Sequence, residues 1–227
     1  CSSDLEYVPH MFNVDSILPV HKGHGKGKDD PSNYRGITLT SVIGKLFERL
    51  LLNRIEKWAE EYKGFPHPFQ FGFKKGAGAE IAALVLRESI SYYTERGSTV
   101  YCTFMDNEKA FDRVWLNGLF YKLHHFGLTG KIWRLIHVMC SSMQSYVKCN
   151  GYSSVTFEVR QGVGQGRVLS AWLFTLYIND LLHEFSKSDY GLCLPWGKTP
   201  GILLADDTTI LSCTTNGRSE EHTSELQ

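Results

Sequence analysis

Three aspartates carry the most chemical potential in this sequence. Asp106 closes the short apolar run 99–105, and Asp206 and Asp207 stand between two others, 202–204 and 208–211. Carboxylates at the ends of short strands are what a two-metal phosphoryl-transfer site requires. One cation lowers the pKa of an attacking hydroxyl and the other neutralises a polyphosphate, with the ions about 3.5–4 Å apart. A hard ion such as Mg²⁺ prefers these oxygens and keeps water and substrate phosphates as its other ligands. Asp106 and Asp206 would be the principal ligands and Asp207 the neighbouring third acid. The competing reading is a solvated Asp-Asp turn, the commoner fate of an isolated acidic pair in a loop.

The elements that must position these acids follow from hydrophobic spacing. Residues 41–62 place Val42, Ile43, Leu46, Phe47, Leu50, Ile55, Trp58 and Ala59 at three- and four-residue steps, an amphipathic helix capped by Ser41. A second helix is predicted over 79–95, stopping at Gly97, and a strand over 99–105. Residues 108–126 read as helical through Phe111, Val114, Leu119, Leu123 and Phe126, and Thr129 should cap another helix to Met143. The period then changes: YVKC and SVTFEV flank Asn150-Gly151, a tight β-hairpin. Ser170 begins an apolar helix to about Phe185, and 202–211 reads as a second hairpin with acids at its tip. Residues up to about Phe73 mix helix with basic, glycine-rich loops. The expected class is α+β, with a small antiparallel sheet packed against helices.

Composition narrows the setting. At 42% apolar and 21% charged the 227 residues can form a core, and no apolar run approaches the ~18 residues of a spanning helix. Six cysteines without a C-x-x-C pair indicate neither zinc nor a disulfide framework, which suits a reducing, intracellular environment. The net charge of zero is unusual for a nucleic-acid binder. The last ten residues, RSEEHTSELQ, read as a translated sequencing adapter, and without them 23 basic side chains stand against 21 acidic. The first residue is Cys1 rather than Met, as in an internal piece.

FMDNEKAFDRV, 104–114, and LADD, 204–207, resemble the first palm motif and the YADD or FADD box of the reverse transcriptases of LINE-type (non-LTR) retrotransposons. RQGVGQGRVLSAWLFTLYIND, 160–180, is similar to the motif between them, while NYRGITLTSVIGKLF, 33–47, and QFGF, 70–73, resemble the fingers motifs. All five occur in the family's order. The resemblance implies a right-hand polymerase, with fingers over 1–97, palm over 98–217, an adapter-derived tail at 218–227, and a thumb not represented.

The same resemblance assigns roles. It makes Asp106, Asp206 and Asp207 the metal-binding acids, with Mg²⁺ the expected ion and Mn²⁺ a substitute. Phe111 would lie beneath the incoming sugar and exclude a 2′-hydroxyl; on a helix it would sit about one and a half turns beyond Asp106. Gln165 and Gly166 would lie against the nucleotide, and Arg35 would pair with the triphosphate, since guanidinium matches phosphate oxygens in a fork. Implied partners are an RNA template, a DNA primer or target DNA and deoxynucleoside triphosphates, with no membrane, and a location in cytoplasm and nucleus. The activity implied is RNA-directed DNA synthesis.

The chain departs from the family pattern at Gly36, Gly164, Arg167, Ala171 and Leu204, which bears on the nucleotide pocket but removes no acid. The basic stretch HKGHGKGK, 21–28, lacks P-loop spacing, leaving a fingers loop facing template or triphosphate, or a solvated loop. His124-His125 has no partner ligands at metal spacing. Two rivals remain: a catalytically inactive nucleic-acid-binding remnant of a decayed element, and a group II intron or telomerase-type enzyme. KAFD and YIND disfavour the second.

Overall fold

The computed structural model describes residues 7–23, 25, 27–61, 65–187, 191–195 and 197–213. In chain order the elements are β1 (Val14–His21), β2 (Tyr34–Leu39), α1 (Val42–Ala59), α2 (Ala79–Thr94), β3 (Val100–Met105), α3 (Leu116–His125), α4 (Gly130–Ser141) and β4 (Gln144–Cys149). There follow β5 (Tyr152–Ser153), β6 (Phe157–Glu158), α5 (Ser170–Lys187), β7 (Leu192–Leu194), β8 (Gly197–Thr199), β9 (Gly201–Leu204) and β10 (Asp207–Cys213). The chain divides into two compact units, one of Cys1–Tyr62 with Lys109–Tyr177, the other of Lys63–Glu108 with Ile178–Gln227. The adapter-like tail and positions 24 and 26 of the basic stretch lie outside the described residues.

In the first unit a sheet runs β2-β1-β4-β5, with β6 also on β4. It is mixed rather than purely antiparallel, because β1 pairs parallel with β4 over Val14 to Ile17. The β1–β2 hairpin was not foreseen from sequence, where this region read as helix and loop. Pro19 weakens the strand signal, yet β1 tolerates it: pairing with β4 has ended at Ile17, so only β2 flanks that position. Asn150 and Gly151 take positive φ, 50° and 83°, and turn β4 into β5 as the Asn-Gly pair predicts.

Two helix expectations change here. Ser41 caps α1 as expected, its Oγ accepting the Gly44 N–H at 3.1 Å. The buried stripe, however, is Gly44, Glu48, Leu51, Leu52, Ile55 and Ala59, leaving Val42, Ile43, Leu46 and Leu50 exposed. The helix is turned to bury a glutamate. The second change is at 108–113, which forms turns, so that α3 starts only at Leu116. Lys109 is left-handed (φ 54°), and the carbonyls of Phe111 and Val114 accept the N–H groups of Val163 and Gly162, both at 2.9 Å, instead of helical donors. Phe111 is therefore in a turn and not on a helix continuing from Asp106. Thr129 occupies the start of α4 without a side-chain cap. Leu119, Leu123, Leu135 and Ile136 form the fully buried centre of this unit.

In the second unit the sheet is β3-β10-β9, all antiparallel. Residues opposed across an antiparallel pair share a face, so Val100, Cys102, Ile202 and Leu211 lie together. Leu86, Ala82 and Tyr93 of α2 pack into this face. A further segment runs along the free side of β9: Leu203 N–H donates to the Phe69 carbonyl at 2.9 Å, and Phe71 N–H to the Leu203 carbonyl at 2.8 Å. Gln70, 1% exposed, turns its Oε1 to the Gly72 N–H at 2.8 Å. This path brings Gly72 against the β9–β10 turn. A Cβ there would fall 2.1 Å from the Ala205 nitrogen and 2.6 Å from its Cα.

Gly72→Ala is therefore expected to cost about 2–3 kcal/mol in denaturant unfolding, since backbone must move to admit the methyl. Gly78, the N-cap of α2, with open space around it and an extended φ of 169°, is the control; Gly78→Ala should lose only the roughly 0.5–1 kcal/mol that separates glycine from alanine at an N-cap. Equal effects at the two positions would contradict the packing described.

A pH effect follows from His67, 6% exposed, whose Nδ1 accepts the Phe69 N–H at 3.3 Å and whose ring lies edge-on to His183 at 4.8 Å. Burial, then the neighbouring His183 and Lys74 charges, lower its pKa to about 4 from 6.5. The unfolded chain thus binds this proton more readily than the folded one. The stability from neutral His67 is fully present above pH 6.5 and is lost as pH falls through 6.5 towards 4, by at most about 3 kcal/mol. Unfolding midpoints across that range should record the slope, and His67→Phe should flatten it.

Candidate active site

The three acids are brought to one end of the second unit's sheet by strand register. Met105 is opposite Thr208 in the β3–β10 ladder, and the next step of that register sets Asp106 beside Asp207. Asp207 is the first residue of β10 rather than part of the turn, which consists of Ala205 and Asp206. Ala205 is left-handed (φ 58°), a conformation costly for a side-chain-bearing residue and tolerated where surroundings impose it. Asn107 fastens the turn from β3's side, its Nδ2 donating to the Asp206 carbonyl at 3.0 Å. Asp106 and Asp207 are exposed and Asp206 half-buried.

The electrostatics are those of uncompensated negative charge. Partial burial, followed by the Asp206 and Asp106 charges, raises the Asp207 pKa. No Lys or Arg among the described residues forms an ion pair with any of the three. Beside them opens a cavity of about 330 Å³, walled by Ala79, Ala82, Leu86, Phe104 and Leu204, with Asp106 and Asp207 on its rim. These donors suit a hard divalent cation in type and charge. They are not a closed cage: among the described residues no group of three or more His, Cys, Asp or Glu is arranged to hold a metal ion. Such a cation would need oxygens from water and a bound phosphate to complete its shell.

The other sequence-derived candidates, Arg35, Phe111, Gln165 and Gly166, all belong to the first unit, where backbone hydrogen bonds link three short segments. Val163 N–H donates to the Phe111 carbonyl at 2.9 Å, and Thr38 N–H to the Gln165 carbonyl at 2.8 Å. The 162–166 loop is thus sewn to the Phe111 turn on one side and to Arg35's own strand, β2, on the other. Phe111 is half-buried and stacks on Phe174, centroids 4.5 Å apart. Arg35 is exposed. Gly166 has φ 110°, and a Cβ there would meet the Thr38 carbonyl at 2.8 Å, so both conformation and space demand glycine.

Sequence reasoning quoted the QFGF stretch but missed what Gln70 and Gly72 do for the acidic turn. It also passed over Asn107, Asp15 and Glu48. A glycine between two aromatics was the available signal for Gly72. Glu48 gave a fainter one, as a charged residue within the arc of the helix that packs inward.

Comparison with known proteins agrees with the motif reading. Residues 22–227 match the family described as reverse transcriptase (RNA-dependent DNA polymerase). The chain is 31% identical over 179 residues to the RNA-directed DNA polymerase from mobile element jockey of Drosophila melanogaster, covering 78% of this chain and 19% of that protein. It is 32% identical over 209 residues to the probable RNA-directed DNA polymerase from transposon X-element of the same species, covering 91% and 22%. The chain therefore spans about a fifth of the length of these relatives. Among solved structures, telomerase from Candida tropicalis in complex with a fragment of telomeric RNA superposes with a TM-score of 0.59 at 13% identity, over 94% of this chain and 38% of that one. That likeness shows the fold, an α+β polymerase fingers and palm. The chain belongs to the reverse transcriptase family, and its relatives are polymerases of non-LTR retrotransposons.

Proposed function

We propose that this chain is the catalytic segment of an RNA-directed DNA polymerase that adds deoxynucleotides to a primer 3′-hydroxyl on an RNA template. The observation that carries the reading is the convergence of Asp106, Asp206 and Asp207 at one end of the β3-β10-β9 sheet without a cationic partner among the described residues. Asp106, Asp206 and Asp207 would offer carboxylate oxygens to Mg²⁺, with Mn²⁺ as substitute, and water and the triphosphate would complete a shell that the three acids do not close by themselves. When bound, the ion supplies Lewis acidity towards the attacking hydroxyl and charge neutralisation for the triphosphate.

The remaining residues bind and select. Arg35 offers a forked donor to phosphate oxygens. Gly166 lets backbone approach the nucleotide closely, with Gln165 beside it. The Phe111 ring, braced by Phe174, is a wall against a 2′-hydroxyl. The functional division into fingers, 1–97, and palm, 98–217, belongs to this reading, as do DNA primer or target DNA as partner and action inside the cell, in cytoplasm and nucleus.

Primer extension by the protein at the full length of its relatives is the test. Asp206→Asn should lower extension by on the order of 10³-fold or more while leaving salt-sensitive nucleic-acid binding in place. Undiminished extension by that variant would sink the assignment, and binding without extension by the unaltered protein would favour the inactive remnant. Phe111→Ala should reduce discrimination against ribonucleotides by about tenfold or more, read as the ratio of kcat/KM for the two sugars. An unchanged ratio would remove Phe111 from the sugar wall.

A further inference from the structure

Arg167, a departure from the family pattern, is 7% exposed. Its Nε donates to Glu48 Oε1 at 2.7 Å, its Nη2 donates to the Phe12 carbonyl at 3.3 Å, and its Nη1 lies 3.4 Å from Asp15 Oδ2. Glu48, fully buried on α1, uses its second oxygen on the same loop: Oε2 accepts the N–H of Val168 at 2.7 Å and of Leu169 at 3.1 Å. One carboxylate therefore grips three successive residues of the loop.

What this grip fixes is the turn immediately before it. Arg167 N–H donates to the Gly164 carbonyl at 3.2 Å, closing a four-residue turn whose two central residues are Gln165 and Gly166. Positive φ at the second central position is a type II requirement, and Gly166 meets it. Gly164 is the other departure in this loop. A Cβ on it would lie 3.1 Å from Arg167 Cδ and 3.3 Å from Cγ, tighter than ordinary contact. The glycine makes room for the arginine stem, so the two departures form one device.

We propose that Arg167, held by Glu48 and Asp15, is a positioning residue that sets the Gln165-Gly166 turn for nucleotide binding. The role rests on the nucleotide-binding reading given above. Burying one cation between two carboxylates is a poor stabiliser in itself, because desolvation offsets the attraction. Its effect is conformational: Nε and Nη2 of Arg167 and both oxygens of Glu48 find hydrogen-bond partners together when the loop follows this path, while Nη1, without one, meets Asp15 as an ion pair alone. Lysine, with a point charge and no fork, cannot replace it.

The test uses the full-length protein and three variants: Arg167→Met, Arg167→Lys and Glu48→Gln. Glu48→Gln keeps an acceptor for the guanidinium while its amide nitrogen cannot accept from Val168 and Leu169. The expected result is a KM for deoxynucleotide raised about tenfold, with kcat within about threefold and primer-template affinity unchanged, in all three. Hydrogen exchange at 164–169 should quicken while exchange in α3 and α4 does not. If Arg167→Met fails to fold, the lysine and glutamine variants carry the comparison. Folded variants with unchanged KM and unchanged exchange would overturn the proposal, as would a kcat and stability loss without a KM effect. If the unaltered protein extends no primer, the polymerase reading fails, and the exchange measurement still decides whether Arg167 orders the turn.

Discussion

The antiparallel register between β3 and β10 is the constraint on which the acid-bearing unit depends. Side chains alternate faces along a strand, so a slip of one residue would carry Asp207 to the face opposite Asp106 and expose Leu211. The burial of Leu211 with Tyr93, Leu192 and Leu194 holds the register from the core end, far along the strand from the acids. At the other end Asn107 ties β3's continuation to the Asp206 carbonyl, and the 69–72 segment closes on β9. Like charges repel across this edge, and packing elsewhere must overcome it. The Asp207 pKa is raised first by partial burial and then by this repulsion from Asp206 and Asp106.

The first unit is organised by a different term, the cost of burying charge. Apolar content alone would rotate α1 to hide Val42, Ile43, Leu46 and Leu50, yet all four are exposed and Glu48 is inside. An unpaired buried carboxylate costs several kcal/mol, so the orientation is tenable because Arg167 and two backbone N–H groups meet it. Asp15 is the weaker member. Burial pushes its pKa up despite the nearby guanidinium, and its Oδ1 has no hydrogen-bond partner.

Much of this was legible in the residues, for identifiable reasons. The Asn150-Gly151 hairpin, α1 with its Ser41 cap, α2, β3 and the hairpin bearing the acids are local: a cap, a turn pair or a period declares each within a few residues. What escaped was set at long range. The β1–β2 hairpin contains a proline and depends on β4, more than a hundred residues away, for its other neighbour. The 108–114 stretch has helical spacing, but the carbonyls of Phe111 and Val114 are claimed by Val163 and Gly162. Glu48 is drawn inward by a residue 119 positions later. The three aspartates stand out in the sequence because carboxylates at the ends of apolar runs are visible as residue type, whereas Gln70, Gly72 and Asn107 beside them are recognisable only from what they touch.

The departures from the family pattern bear on whether the site is maintained or decaying. Decay substitutes residues without regard to neighbours and leaves voids, clashes or unpaired polar groups. Leu204, in an aromatic's place, packs against the cluster of Phe71, Ala82 and Ile202. Ala171 does not prevent α5 from starting at Ser170, with the Leu173 N–H donating to the Leu169 carbonyl at 3.0 Å and Thr175 Oγ1 to that of Ala171. Gly164 and Arg167 are matched to each other in volume, and Arg167 to Glu48 in charge. A random arginine at a buried loop position would strand a cation, at a cost large relative to the 5–15 kcal/mol that holds a domain folded. Arg167 instead meets a carboxylate, a carbonyl and a glycine that fits its stem, so the loop absorbs both departures without stranding the cation, at the cost of leaving Nη1 and Asp15 Oδ1 without hydrogen-bond partners.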